Sequence, residues 1–371
     1  TSHRLRSRGV SLVELLVAMA LGLFIVAAML GLLARNSEAR GELEKSGRQV
    51  ENGRYALQRL AEDLRHAGFY GDFTSPVAPA SVPDKDEVCE AGLDQAGLAS
   101  LKVSMGMPVQ AFTGVVAGQQ PSCIDDDDFV SGTSVLVVRF VSPAPKLGDG
   151  WAVADLTDSV LGLTTGAVYV HANTDDITLA RRTTGSTLVS SDGTNFTTLL
   201  KVQGPLGAQI NARLLRYITR IYFISPCSRP AAGQTSCNAA ADDGNPVPTL
   251  KVIEPIGSSA TPTPVAVAEG IERLEFDYGI DKSTAGAPGA GIAQEYKRCD
   301  PCSLSDWSQV VGVRISLLAR NAEPSADFSD NKTYVMGLAG AASAPTDSLR
   351  FKRHAFQEVV RLNNLSMRRE E

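Results

Sequence analysis

Between Leu15 and Ala34 the chain carries no charge. A helix rises about 1.5 Å per residue, so this run covers about 30 Å, the hydrocarbon thickness of a bilayer. Whatever else the chain does, it must house one helix that is apolar on every side. One acid, Glu14, opens the run, where a carboxylate costs on the order of 3 kcal/mol near the bilayer centre and less at the edge. Upstream the charge is purely basic, with Arg4, Arg6 and Arg8 beside His3, whereas Arg35, Glu38, Arg40, Glu42 and Glu44 mix the signs downstream. By the positive-inside rule, this is a single pass with a cytoplasmic N-terminus and everything after Ala34 exported.

The helical pattern continues past the apolar run. Leu43, Val50, Leu57 and Leu64 recur every seven residues, Leu60 widens the stripe, and Glu44 and Arg48 stand one turn apart on a solvated side. Gly68, in "RHAGFYG", is a stop signal. The spacing predicts one helix from about Val10 to Ala67, membrane-spanning over 10–34 and amphipathic over 35–68. From Phe69 to about Val130 the chain is rich in Pro, Gly and acids, which predicts loops and one short helix near Leu93 to Val103.

Strand patterns dominate thereafter: "SVLVVRFV", "AVYVHA", "ITLARR", "NFTTLLKV", "RYITRIYFIS", "TLKVIEPI", "GIERLEFDYGI", "VVGVRISLLAR" and "FQEVVRLNNL". Leu274, Phe276, Tyr278 and Ile280 alternate as one buried sheet face requires, and "RYITRIYFIS" is apolar on both faces, as a central strand would be. The expected fold class is α+β, with the long N-terminal helix packed on an antiparallel β-rich domain over 69–371. That span has room for two lobes.

Six cysteines suit an exported domain. Proximity suggests Cys89–Cys123, Cys227–Cys237 and Cys299–Cys302, out of fifteen possible connectivities. In the chain-entropy model the first two bridges would contribute about 3–4 kcal/mol each. Unpaired thiols are the alternative. Zinc is poorly served, since "CDPC" has no second CxxC and His171 and His354 lack ligand spacing.

Catalytic patterns are absent: there is no Gly-Lys dipeptide, no HExxH and no G-x-S-x-G. "GAPGAG" at 286–291 contains proline and follows a turn, so it reads as a loop rather than a phosphate cradle. Asp125 to Asp128, and Asp327 with Asp330 and Asn331, are candidate calcium ligands, but both lack EF-hand spacing and read as solvated acidic turns. His66 and His354 read as surface residues. The net charge of −6 argues against nucleic acid unless Arg181, Arg182, Lys352 and Arg353 cluster in space. No cofactor and no metal are expected.

The stretch "RGVSLVELLVAMALG" resembles the class III signal of type IV prepilins, in which a basic leader ends in glycine and glutamate is the fifth residue of the helix that follows. The resemblance implies a leader over 1–9, cleavage by prepilin peptidase between Gly9 and Val10, N-methylation of Val10 and an assembly role for Glu14. A secretory signal would instead need an A-x-A-like site after the run, and "GLLARNSEA" offers only poor ones. Val10 departs from the phenylalanine usual in that family, and Gly31 stands where major pilins carry proline.

Further along, "LAEDLRHAGFYG", "GIERLEFDYGID", "VVGVRISLLAR" and "RHAFQEVVRLNN" resemble the PilW family of minor pilins. Arg353, Phe356, Val360, Leu362 and Asn364 match the family's last motif, while Asn363 replaces its arginine. The resemblance implies a non-enzymatic inner-membrane protein that ends at the pilus tip or cell surface. There it would join a minor-pilin complex that primes pilus assembly, in support of twitching motility, adhesion and DNA uptake. Its implied partners are prepilin peptidase, other minor pilins, the major pilin and the inner-membrane assembly platform. The pseudopilin J of type II secretion shares much of the pattern, and an anchored periplasmic binding protein or enzyme is the reading from another class.

The mature protein should begin at Val10 with a methylated amine, measured by intact mass or N-terminal sequencing after membrane extraction. Replacing Gly9 with leucine should block cleavage and leave insertion unaffected.

Overall fold

The computed structural model describes residues 11–74, 76, 78–90, 94–151, 163–182, 188–190, 200–256, 262–299, 302–346 and 348–371. Its first element is α1, Leu12–His66. The chain divides into two compact units between Arg48 and Gln49. In the first, the helix runs unbroken through Gly22 and Gly31, and a Cβ at either glycine would meet nothing within 4 Å. Leu43, expected on the buried stripe, is 73% exposed.

The second unit opens with the remainder of α1, where burial on the stripe begins at Gln49. Ala56, Leu57, Leu60, Ala61, Leu64 and Ala67 are all in the core, spaced three and four apart as one helix face demands. Gly68 ends the helix at φ +72, a backbone conformation that costs glycine nothing. A second helix, α2 (Gln95–Ser104), is capped by the Asp94 carboxylate, which accepts from Gly97 N at 2.7 Å.

The larger sheet contains β1 (Val109–Val115), β2 (Thr133–Val141), β3 (Val168–Ala172), β4 (Ile177–Arg182) and β5 (Leu188–Ser190). A separate short hairpin pairs β6 (Lys201–Gln203) with β7 (Gln209–Asn211). The long β8 (Leu214–Ser225) is the centre of the larger sheet. It pairs with β2, with β3 and with β9 (Thr249–Ile253), and β10 (Val265–Glu269) pairs with β9. This is why its sequence is apolar on both faces.

The smaller sheet has the order β12-β11-β13-β16, built from β11 (Ile271–Ile280), β12 (Glu295–Lys297), β13 (Val310–Arg320) and β16 (Arg353–Arg361). A hairpin of β14 (Thr333–Val335) and β15 (Ala341–Ser343) supplies Tyr334, Met336 and Ala342, which pack with Leu318 of β13. All described strand pairings are antiparallel. The terminal helix α3 (Asn363–Glu370) stands where the sequence suggested a longer last strand. Most of "NFTTLLKV" lies outside the described residues, as does Leu93 at the start of the expected short helix.

One core joins the helix to both sheets. Leu136, Val138 and Phe140 of β2, Tyr222 and Ile224 of β8, and Leu274, Phe276, Tyr278 and Ile280 of β11 meet the apolar face of α1 there. The two larger sheets are therefore parts of one compact unit. At roughly 1.5–3 kcal/mol for each large apolar side chain removed from water, this shared core is the main reason the helix stays on the sheets.

A close approach of α1 to β16 falls at Gly53, where a Cβ would lie 2.4 Å from the Phe356 ring. Gly53→Leu should therefore lower unfolding stability by about 1–3 kcal/mol through overpacking. Adding Phe356→Ala should recover part of that loss, a coupling that denaturant titration of the single and double variants measures.

Candidate functional site

α1 places its one early acid, Glu14, in the first turn, near the positive end of the helix dipole. The side chain is exposed, and so are the large apolar residues that follow, from 53% at Val17 to 75% at Phe24. This stretch is long and apolar enough to cross a membrane. A face of that size is stable only in lipid or against other apolar helices. Gly9, Val10, Arg4, Arg6 and Arg8 lie outside the described residues.

The other end of α1 is gripped by side chains from far along the chain. Gln49 Nε2 donates to Ala319 O at 2.6 Å and to Lys352 O at 3.0 Å, and Asn52 Nδ2 donates to Glu269 O at 3.1 Å. Asp63, buried at 2% exposure, accepts from Arg220 Nη1 at 2.6 Å and from the Tyr222 hydroxyl. Burial pushes the Tyr222 phenol up, and the neighbouring Asp63 carboxylate pushes it further, so it stays a donor. At the helix C-terminus, Asn364 Nδ2 donates to Ala67 O at 3.0 Å, and an Arg368 guanidinium nitrogen donates to Gly68 O.

The residues of the terminal motif, 353–364, contribute to this grip. Arg353, its side chain fully buried, meets Glu272 through two bonds of 2.6 and 2.9 Å and Asp330 at 3.2 Å. That arrangement pins the start of β16 to β11. Phe356 meets the helix at Gly53, Val360 and Leu362 enter the shared core, and Asn364 caps the helix. Arg369 of α3 reaches Asp281 at 2.6 Å, at the end of β11. Its neighbour Arg368 lies 5.7 Å from the centre of the Tyr70 ring.

Other candidates resolve differently from their sequence reading. Asp128 and Asp330 are each only 2% exposed, so neither belongs to a solvated turn. Asp128 accepts from Cys237 N at 2.9 Å, and Asp330 is an internal counter-ion of Arg353, so neither is a free ligand for calcium. Arg182 and Arg353 are buried and cannot reach a nucleic acid, because their charge serves internal contacts.

His171 is buried and its Nε2 accepts from Leu200 N at 2.7 Å. Burial lowers its pKa, so it is a neutral core residue. His66 and His354 are exposed, as expected. The 286–291 glycines adopt φ of +75, +89 and +81 in the loop that joins β11 to β12. Disulfides join Cys89 to Cys123, Cys227 to Cys237 and Cys299 to Cys302. Sequence reasoning missed Asp63 and Glu272, whose importance lies in partners more than eighty positions away.

Comparison with known proteins fits this geometry. Residues 4–30 match the prokaryotic N-terminal methylation motif, and residues 236–364 match PilW, described as type IV pilus-assembly protein W. No curated protein matches the chain significantly. A type IV-like pilin from Thermus thermophilus is similar over 54% of this chain and 85% of its own, with 13% identity and a TM-score of 0.22, too low to bear on the fold. The methylation motif thus overlaps the start of the apolar helix that precedes the antiparallel sheets. Over 236–364 the chain is similar to PilW, type IV pilus-assembly protein W.

The Asp281 carboxylate is a quantitative probe of the α3 contact. Burial alone would raise its pKa, but Arg369 and the N–H groups of Gly291 and Ser283 hold it well below the usual carboxylate range. A depressed folded pKa gives stability that is present above about pH 4, the unfolded value, and is lost as pH falls through the folded one. Arg369→Gln should therefore be less stable than the parent at pH 7, and the gap should shrink on acidification below about pH 4. Denaturant titrations across pH measure this, and a pH-independent gap would contradict it.

Proposed function

We propose that this chain is a minor pilin, processed between Gly9 and Val10, that joins other minor pilins in a complex priming pilus assembly near the tip. One observation carries the reading: the segment that matches PilW contains Phe356 and Asn364, which meet the assembly helix, and Glu272, Asp330 and Arg353, which fix the strand that carries them. A methylation motif at the head of that same helix supports processing by prepilin peptidase. The protein acts through packing rather than catalysis, anchored in the inner membrane before it enters the filament.

In this reading Glu14 measures register. Cleavage exposes the Val10 amine, positive near neutral pH, one helical turn from Glu14. A carboxylate alone in lipid is costly, and a cation beside it lowers that cost. In a staggered bundle the Glu14 of an incoming subunit meets the N-terminus of the subunit already in place. Assembly then rewards aligned subunits, and this protein has a neighbour above it rather than occupying the extreme tip.

Glu14→Ala should leave processing, insertion and folding intact while reducing both recovery with partner pilins and the number of surface pili. Deleting the gene should abolish or reduce piliation and spare protein secretion. Loss of secretion with normal piliation would point to a type II pseudopilin instead.

A further inference from the structure

The segment that follows α1, the turn between β3 and β4, and the β6–β7 hairpin line a groove of about 720 Å³. That volume is within the roughly 300–1,000 Å³ of ordinary ligand sites. Such sites are mostly apolar, and this one is not. Val202 is the one apolar side chain among its described lining residues. All of those residues fall outside 236–364, so the PilW-like segment does not account for the groove.

The charges in the groove are largely spent on one another. Arg213 Nη2 lies 3.2 Å from Asp149 Oδ2, and its Nε lies 4.0 Å from Asp72 Oδ2. Lys201 Nζ donates to Asn211 Oδ1 across the hairpin. With Asp175 included, three carboxylates accompany two cations, a balance that attracts neither a polyanion nor a polycation. Arg213 stands between two of the three carboxylates, where a metal ion would have to displace it.

Asn173 holds two walls of the groove together. Its Oδ1 accepts from Asp175 N at 3.0 Å and from Asp176 N at 2.8 Å, which closes the β3–β4 turn. Its Nδ2 donates to Lys201 O at 3.2 Å, which ties that turn to β6. On the hairpin, Gln203 and Gln209 stand directly opposite each other, so their side chains share one face. Both are exposed, and no described residue engages either amide. Each amide offers one acceptor and two donor hydrogens. The groove therefore carries unspent amides on a fixed frame.

We propose that this groove binds a neutral carbohydrate. A sugar hydroxyl donates one hydrogen bond and accepts others, which is the pairing that a side-chain amide offers. Gln203 and Gln209 bracket adjacent hydroxyls, and Asp175, exposed on the β3–β4 turn, accepts from a third. A fatty or aromatic ligand would find Val202 alone to cover it, and a phosphate would meet three carboxylates. The site is independent of the pilus-assembly reading, because no residue of α1 lines it.

The test is titration of the full chain, in a detergent without a sugar headgroup, with maltotriose, cellotriose and chitotriose. Saturation-transfer NMR and calorimetry read the binding, and at least one of the three should bind with a Kd of about 0.1–5 mM. Gln203→Ala combined with Gln209→Ala removes two exposed amides and leaves the core untouched. That double variant should keep the parent's thermal midpoint and weaken the binding about tenfold. Failure of all three sugars to bind at about 10 mM would overturn the site, and so would binding that the double variant leaves unchanged. Saturable calcium binding in place of sugar binding would mark the groove as a cation site and overturn the proposal too.

Discussion

A helix that stops against a sheet ends in carbonyls that need donors, and much of this structure follows from where those donors come from. Asn364 and Arg368 provide them for Ala67 and Gly68. Both residues belong to the terminal helix, so meeting that need fixes α3. Fixing α3 in turn places Arg369 on Asp281 and holds the glycine-rich loop, whose Gly286 N donates to Arg369 O at 2.8 Å. The final strand cannot shift register without breaking the cap, because Asn364 follows it after three residues.

Buried charge enforces the same arrangement from the other end of β16. Arg353 and its partner Asp330 are removed from water and Glu272 is partly so, and breaking a buried ion pair by deleting one member costs about 3–5 kcal/mol. Asp63 plays the matching part on the helix, held by Arg220 and Tyr222 of the larger sheet. Each sheet therefore has its own ionic tether to its neighbours, and the apolar core between them adds strength without needing to supply direction.

The sequence made the long helix legible because charge-free length and a seven-residue stripe are local patterns. Most strands were legible for the same reason, and the two-faced apolarity of β8 marked it as central. Strand β11 shows the limit: its alternation identified Leu274, Phe276, Tyr278 and Ile280, but Glu275 and Asp277 between them are buried too. Glu275 meets Ser134, Arg298 and its own strand's Arg273, and Asp277 meets Arg314, so mostly distant partners make a polar face burial-competent. Strand β1 and helix α3 escaped because their patterns are weak and tertiary contacts decide them. The grip on α1 was foreshadowed by the terminal motif, yet its function as a helix cap was not, since Asn364 and Ala67 stand 297 positions apart.

That separation has a consequence for the order of events during export. On the proposed export, Ala56, Leu60 and Leu64 would emerge early, while the residues that cover and cap this part of the helix follow up to 300 positions later. Contacts so distant in sequence form slowly, because a long loop must close before they contribute. A chain exported in this way would pass through a stage in which the apolar stripe is uncovered and open to proteases and unwanted association.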